Sequence, residues 1–267
     1  MFLGTRNMSS VGTQFLNLSG GRQVAYRKLN GNGTPTIVFA PGFMSNMNGK
    51  KASTLHKFCS ENGLPFVRFD YEGVGESPGN MEKMHLSMWM EDLKIVVDSL
   101  TNGPVLLIGS SMGGWMSILV AMQIPQRIQG MILIAPALNF FEKKYVQIYN
   151  ILSPAQRKVL DRGDILILPS PYGEIFLRKD FMEKSKNQRI DLQNPIPLSM
   201  PIRLIHGVLD PDVPYQDSLT LAPLFESSDV DIILRKCGKH QMSEDEDLAL
   251  LLSTIKLLLA SMPNSKL

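Results

Sequence analysis

Six short, nearly continuous apolar runs do most to fix what this chain folds into. They read TIVFAPGF from residue 36, PFVRFDY from 65, PVLLIGSS from 104, IQGMILIAPA from 128, IRLIHG from 202 and VDIILRK from 230. Runs of this kind suit strands buried on both faces, the situation of parallel strands covered by helices. Helix-length segments lie between them, near 47–60, 86–101, 112–124 and 215–225. A final one carries Leu248, Leu251, Leu252, Ile255, Leu258 and Leu259 on one stripe, opened by Ser243 and Glu246 at capping-box spacing. Ahead of the first run, TQFLNLS and RQVAYRKLN flank Gly20-Gly21 as an antiparallel hairpin. The pattern predicts an α/β class fold: a mostly parallel central sheet, helices on both faces, and the N-terminal hairpin as an antiparallel edge.

The rhythm breaks once. Residues 138–199 read as helical or irregular, with prolines at 154, 169, 171, 195 and 197. An insertion at the carboxyl end of a strand overhangs the place where open α/β sheets bind ligands, so a short cap within a single domain, 1–267, is expected. Leu138, Phe141, Tyr145, Ile148, Tyr149 and Leu152 recur at helical spacing in it. That apolar face either docks on the domain, lines an acyl pocket, or does both.

A net charge of +2, with 44% hydrophobic and 19% charged residues, gives no electrostatic case for nucleic acid and favours a small-molecule or lipid-like substrate. Cys59 and Cys237 are the two cysteines. They form neither a disulfide framework nor a Cys/His metal set, so no metal or cofactor and a reducing intracellular compartment are expected. Cys237 reads as a small buried residue. The longest apolar run, MILIAPALNFF at 131–141, falls short of the roughly 18–20 residues of a transmembrane segment, so a soluble protein is expected. The leader MFLGTRNMSS reads as neither a secretory signal nor a good transit peptide. The ending Ser265-Lys266-Leu267 matches the address read by the peroxisomal import receptor, with a solvated polar tail as the alternative.

The chemistry concentrates in GSSMGGW. Gly109-x-Ser111-x-Gly113 follows an apolar strand and precedes a helix-length segment, the context of a strained elbow that projects a nucleophile. Ser110 lacks the flanking glycines, since Ile108 stands two places before it. A serine hydroxyl needs a base, and the base needs an acid to hold its tautomer. Of the four histidines, His56 and His85 suit solvated or partly packed positions, and His206 suits a brace for the loop that follows it. His240, on the loop after the last strand, is the candidate base. Asp210 is the candidate acid in preference to Asp212, being nearer the strand end in HGVLDPDVP. The alternative acid loop, Ala135 to Asn139, carries no carboxylate. Backbone N–H groups of Met112 and of Phe43, beside Gly42, are the candidate oxyanion donors. The stretch from Asp70 to Ser77 reads as a turn beside the site, because Gly79 arrives one residue too late for a dinucleotide fingerprint.

Elbow, HGxxDxxVP run, Gly-x-His loop, PGF loop and DxxGxGxS turn, spanning about residues 13–260, resemble the α/β-hydrolase superfamily of serine hydrolases. More narrowly, APGFMSNMNGKKA, RFDYEGVGES, GSSMGGW, PIRLIHGVLDPDVP and DVDIILRKCGKHQM are similar to its mitochondrial palmitoyl-protein thioesterase and acyl-glucuronide esterase branch. The resemblance implies an α/β-hydrolase fold and hydrolysis of S-palmitoyl thioesters and acyl-glucuronide esters, with Ser111, Asp210 and His240 as triad. It also implies a small-molecule or lipidated-protein acyl substrate and a mitochondrial location, which competes with the peroxisomal tail. In the cap, Lys143, Lys144, Arg178, Lys179, Lys184, Lys186 and Arg189 either face solvent or meet a glucuronate carboxylate. A general carboxylesterase or lipase and a non-catalytic binding module of the same fold are the rival readings.

Overall fold

The computed structural model describes residues 12–170 and 173–262. The leader up to residue 11 and Ser265-Lys266-Leu267 lie outside the described residues. Strands β1 (Gln14–Asn17) and β2 (Gln23–Leu29) form the expected hairpin, with Gln14 opposite Tyr26. There follow β3 (Thr36–Ala40), α1 (Lys50–Glu61), β4 (Phe66–Phe69), α2 (Leu86–Leu100), β5 (Val105–Ser110), α3 (Met112–Gln123) and β6 (Ile128–Ile134). Residues 140–185 then supply α4 (Phe140–Ile151), α5 (Pro154–Asp161), β7 (Leu166–Ser170), β8 (Gly173–Leu177) and α6 (Lys179–Ser185). The chain returns through β9 (Ile202–Gly207), α7 (Gln216–Leu221) and β10 (Val230–Arg235) to α8 (Asp245–Ser261).

Eight strands make one sheet in the order β1-β2-β4-β3-β5-β6-β9-β10. From β4 to β10 every pairing is parallel, and β2 joins β4 antiparallel. Side-chain alternation along each strand divides the interior in two. Val38, Val67, Leu107 and Leu133 face α2 and α3, meeting Trp89, Leu93, Trp115 and Ile118. Ile37, Phe66, Leu106 and Ile132 face the other way, meeting Leu55 and Phe58 of α1 and Leu251, Ile255 and Leu258 of α8. Because both faces are covered, the runs are apolar without alternating with polar residues, as the sequence indicated. Among the described residues no helix is long and apolar enough to cross a membrane.

Two expectations need correction. The last helix is capped one residue later than Ser243: the Glu244 side chain accepts from the N3 backbone, and Asp247 accepts the Glu244 N–H at 3.2 Å. The acidic run Glu244 to Asp247 offers the same spacing twice, and Ser243 is instead drawn into the preceding loop, donating to the Gln241 carbonyl at 2.8 Å. The second concerns the stretch read as helical or irregular, where β7 and β8 pair antiparallel with Leu166 opposite Leu177. Prolines hid these strands, yet a two-stranded sheet has only edges, where a missing N–H is tolerated. Leu166, Leu168 and Leu177 pack there against Tyr145, Leu152 and Leu160.

Candidate active site

Ser111 stands at the junction of β5 and α3 with φ 54° and ψ −119°, a conformation costly for a residue with a side chain, on the order of 1–3 kcal/mol. The glycines either side of it are dictated by contact. A Cβ at Gly113 would lie 2.1 Å from the Ala40 carbonyl oxygen, and one at Gly109 would lie 2.4 Å from that of Gly113. The turn is pinned by the Ser111 N–H donating to the Ile134 carbonyl at 2.8 Å.

The loops after β9 and β10 deliver the partners. They touch because Gly207 and Gly238 have no side chains: a Cβ on Gly207 would sit 2.3 Å from the Gly238 backbone. The Leu209 N–H donates to the Gly238 carbonyl at 2.9 Å across this contact. His240 thereby reaches both neighbours, its Nε2 at 2.9 Å from Ser111 Oγ and its Nδ1 at 2.7 Å from Asp210 Oδ2. The three residues singled out from the sequence are brought together. Asp212 donates its N–H to Asp210 Oδ1 at 2.8 Å instead of taking the acid's place.

Asp210 is held by more than His240. Val213 N–H donates to Oδ1 at 2.9 Å, and the Nε2 of fully buried His206 lies 3.1 Å from Oδ2 and 3.1 Å from the Val213 carbonyl. Both of those oxygens accept, so His206 Nε2 carries the proton, while its Nδ1 lies 2.7 Å from Ser218 Oγ. Burial pushes the Asp210 pKa up, but hydrogen bonds from His206, His240 and the Val213 N–H outweigh it and hold the carboxyl well below the usual carboxylate range. His206 is the brace the sequence suggested. Its bond to the acid was missed. Ligand atoms of Asp210, Asp212 and His240 lie within 4.8 Å of one another, close enough for a metal ion, but the donors just described already engage both Asp210 oxygens.

On the opposite side of Ser111, the loop after β3 turns back through a Ser45 N–H to Gly42 carbonyl bond at 3.1 Å, with Met44 left-handed at φ 59°. Phe43 and Met112 both line the cavity at the serine. Among the described residues no protein acceptor takes either backbone N–H. The loop is clamped from β4. Asp70 accepts the Met47 N–H at 2.5 Å, and Arg68 donates to the Met47 carbonyl at 2.8 Å. Asp70 in turn receives the Glu76 N–H at 2.8 Å, and its carbonyl receives the Ser77 hydroxyl at 2.6 Å. The turn from Asp70 to Ser77 therefore supports the site from behind. A buried Arg and Asp in the otherwise apolar RFDY run were the available signal for this clamp.

A cavity of about 420 Å³ opens at Ser111 and His240. One side is aromatic: Phe43, Trp89, Phe141 and Phe181 form a chain of rings with centroids 5.0–5.9 Å apart. Met81, Tyr145, Ile148 and Met182 extend it. From α4, Phe141 packs on the core, its ring 6.0 Å from that of Trp115, and also lines the cavity. Of the basic residues noted in 138–199, Lys144 and Arg178 reach the cavity. Arg189 pairs with Glu142 at 2.6 Å, and Lys184 lies 3.5 Å from Asp180 and 2.9 Å from His85. His56 sits half-buried on α1. Cys237 is exposed, against expectation, because it lies on the turn after β10 and not in the strand; Cys59 is buried, and burial pushes its thiol up to about 12.

Comparisons with known proteins give the family and the fold. The family model described as serine aminopeptidase, S33, matches residues 34–189. The mitochondrial palmitoyl-protein thioesterase ABHD10 of Mus musculus is 39% identical over 244 residues, covering 90% of this chain and 80% of that protein. Its Homo sapiens counterpart is 38% identical over 244 residues, covering 90% and 78%. Among solved structures, alpha/beta hydrolase domain-containing protein 10 from mouse superposes with a TM-score of 0.82 at 37% identity, covering 93% of this chain and 98% of that one. A putative hydrolase from Agrobacterium vitis S4 gives 0.84 at 27% identity, covering 94% and 99%. The chain therefore belongs to the serine aminopeptidase S33 family of α/β-hydrolases, with relatives named palmitoyl-protein thioesterases, and it is a hydrolytic enzyme.

Proposed function

We propose that this enzyme cleaves acyl thioesters of the S-palmitoyl type, and acyl-glucuronide or related carboxylic esters, through an acyl-enzyme on Ser111. His240 Nε2 takes the Ser111 hydroxyl proton as Oγ attacks the acyl carbonyl carbon. The Met112 and Phe43 N–H groups receive the resulting oxyanion, the former also at a helix N-terminus that favours negative charge. Asp210 steadies the imidazolium, which returns its proton to the departing thiol or alcohol. Water, deprotonated by His240, then releases the acid. Thioester and oxygen ester share this intermediate, so the triad serves both.

The observation that carries the reading is His240 bridging Ser111 and Asp210 at 2.9 and 2.7 Å. The aromatic side of the cavity supports a long acyl chain, since each buried methylene contributes about 0.8 kcal/mol. Residues 138–199 act, in this reading, as the cap of one catalytic domain. The mitochondrial relatives make the mitochondrion the compartment to test first.

A fluorophosphonate probe tests the nucleophile: it labels the wild-type protein, and Ser111→Ala abolishes the labelling and lowers kcat by about 10⁶. No labelling of the folded wild type favours a non-catalytic binding module. Rates on palmitoyl-thioester, acyl-glucuronide and short-chain ester substrates test the specificity. Turnover of the short ester alone points to a general carboxylesterase.

A further inference from the structure

The side of the cavity away from the aromatic rings has a different character. Between the first turn of α1 and the loop after His240 it is lined by Ser45, Asn46, Lys50, Lys51, Gln241 and Ser243. Lys51 is anchored there: its ammonium donates to the Gln241 carbonyl and, at 3.1 Å, to Ser243 Oγ. An ammonium has three donors and no acceptor, so one N–H is left for a ligand. No carboxylate ion-pairs with Lys51 among the described residues. Asp247 of α8 acts on it electrostatically but is engaged by Arg235 at 3.0 Å and by the Glu244 N–H at 3.2 Å. Removal from water pushes Lys51 down to about 8, which leaves it mostly charged at neutral pH and without a counter-ion. The other cations of the lining each have a carboxylate close by, Lys50 with Asp245 at 3.6 Å, Lys144 with Asp212 at 3.9 Å and Arg178 with Asp180 at 3.3 Å, so Lys51 stands apart from them.

A half-buried cation whose two partners are neutral oxygens gains when an anion arrives, and the charge-assisted bond it makes is among the stronger ones available. With the aromatic side occupied by the acyl chain, the polar side receives the part of the substrate that departs. We propose that this polar side recognises an anionic group, a carboxylate or a phosphate, carried by the leaving alcohol or thiol, with Lys51 as the residue that selects it. The inference rests on the acyl-enzyme reading of Ser111.

The test compares substrates that share a decanoyl chain and differ by one charge. One pair is the 1-O-acyl glucuronide against the 1-O-acyl glucose; the other is the acyl 4′-phosphopantetheine thioester against the acyl pantetheine thioester. Wild type favours the anionic member of at least one pair by about tenfold in kcat/KM, and the pair concerned identifies carboxylate or phosphate as the source. Lys51→Gln brings that ratio close to one, and Lys51→Arg keeps it. Equal rates within both pairs overturn the proposal. So does a Lys51→Gln variant that slows both members alike, because Lys51 would then only anchor the His240 loop. If Lys51→Gln fails to fold, the wild-type ratio is followed against pH. Asp247 from α8 acts on Lys51, and Lys50 on its own helix and His240 on the loop it holds share the cavity lining with it. The ratio falls as pH rises through about 8, where Lys51 loses its proton, and a flat ratio overturns the proposal. Absence of both turnover and fluorophosphonate labelling overturns this inference and the acyl-enzyme reading together, whereas turnover without charge preference removes the inference alone.

Discussion

His206 and Asp210 carry a consequence that neither residue has alone. Asp210 Oδ2 takes one bond from His240 and another from buried His206, so two imidazoles share one oxygen. A carboxylate with a depressed folded pKa contributes stability that is present above its unfolded pKa, about 3.9, and is lost as pH falls through the folded value. For Asp210 that loss lies below the usual carboxylate range. Replacing His206 with Leu removes a donor, returns the Asp210 pKa toward its ordinary value, and shrinks the contribution. Denaturant melts across acid pH are expected to show His206→Leu less stable than wild type by about 1.5–3 kcal/mol at neutral pH, from the missing bond to a charged group, with the gap narrowing as pH falls below about 4. Coincident curves would remove His206 from this role. Ser111, Asp210 and His240 were legible because each lies at a strand end marked by its own short pattern. The bond from His206 was not, since a histidine ending a strand shows nothing of which loop its ring will meet.

Among the elements, the loop after β3 depends on β4 for its position. Gly75 has φ +57°, and a Cβ there would lie 2.2 Å from Asp70 Oδ2, the oxygen that holds the Glu76 N–H. Gly75→Ala therefore drives the Asp70 carboxylate off its partners and frees Met47, and with it the segment that carries Phe43. Steady-state kinetics on any accepted ester are expected to show kcat falling by up to about 10²–10³, the effect of losing one oxyanion donor, with most of the fluorophosphonate-reactive Ser111 still present. Unchanged kcat would show that the clamp does not govern the loop. Strands β3, β4, β5, β6 and β9 were legible for a general reason, since burial on both faces writes itself as an apolar run, whereas β1 and β2 were legible from the Gly20-Gly21 turn between them. The pair β7 and β8 obeys no such rule, being exposed along much of its length and interrupted by Pro169. The α8 cap was misplaced by one residue because two equivalent spacings compete in an acidic run and the His240 loop captures Ser243.

Across the whole molecule, the sheet divides the labour of its two coverings. Helices α1 and α8 close one face, while α2 and α3 close the other and support Trp89 and Trp115 beneath the segment 140–185. The cavity forms where that segment meets the second face, so its aromatic side is shared between the two. If alkyl chains lie there, kcat/KM rises with chain length by up to about 0.8 kcal/mol per methylene until the cavity is filled. Phe181→Ala, which opens the ring chain at α6, is expected to flatten that dependence while sparing short esters. A chain-length series on both proteins decides it, and parallel slopes would place the acyl chain elsewhere.

In this reading the parts that react and the part that measures the substrate are written in different stretches of the polypeptide. Ser111, Asp210, His240 and the Phe43 loop all hang from ends of the parallel strands, whereas the segment from Phe140 to Ser185 returns to the sheet only at β9. Drift or grafting in that one stretch can retune appetite across a lineage while the reactive apparatus stays as inherited.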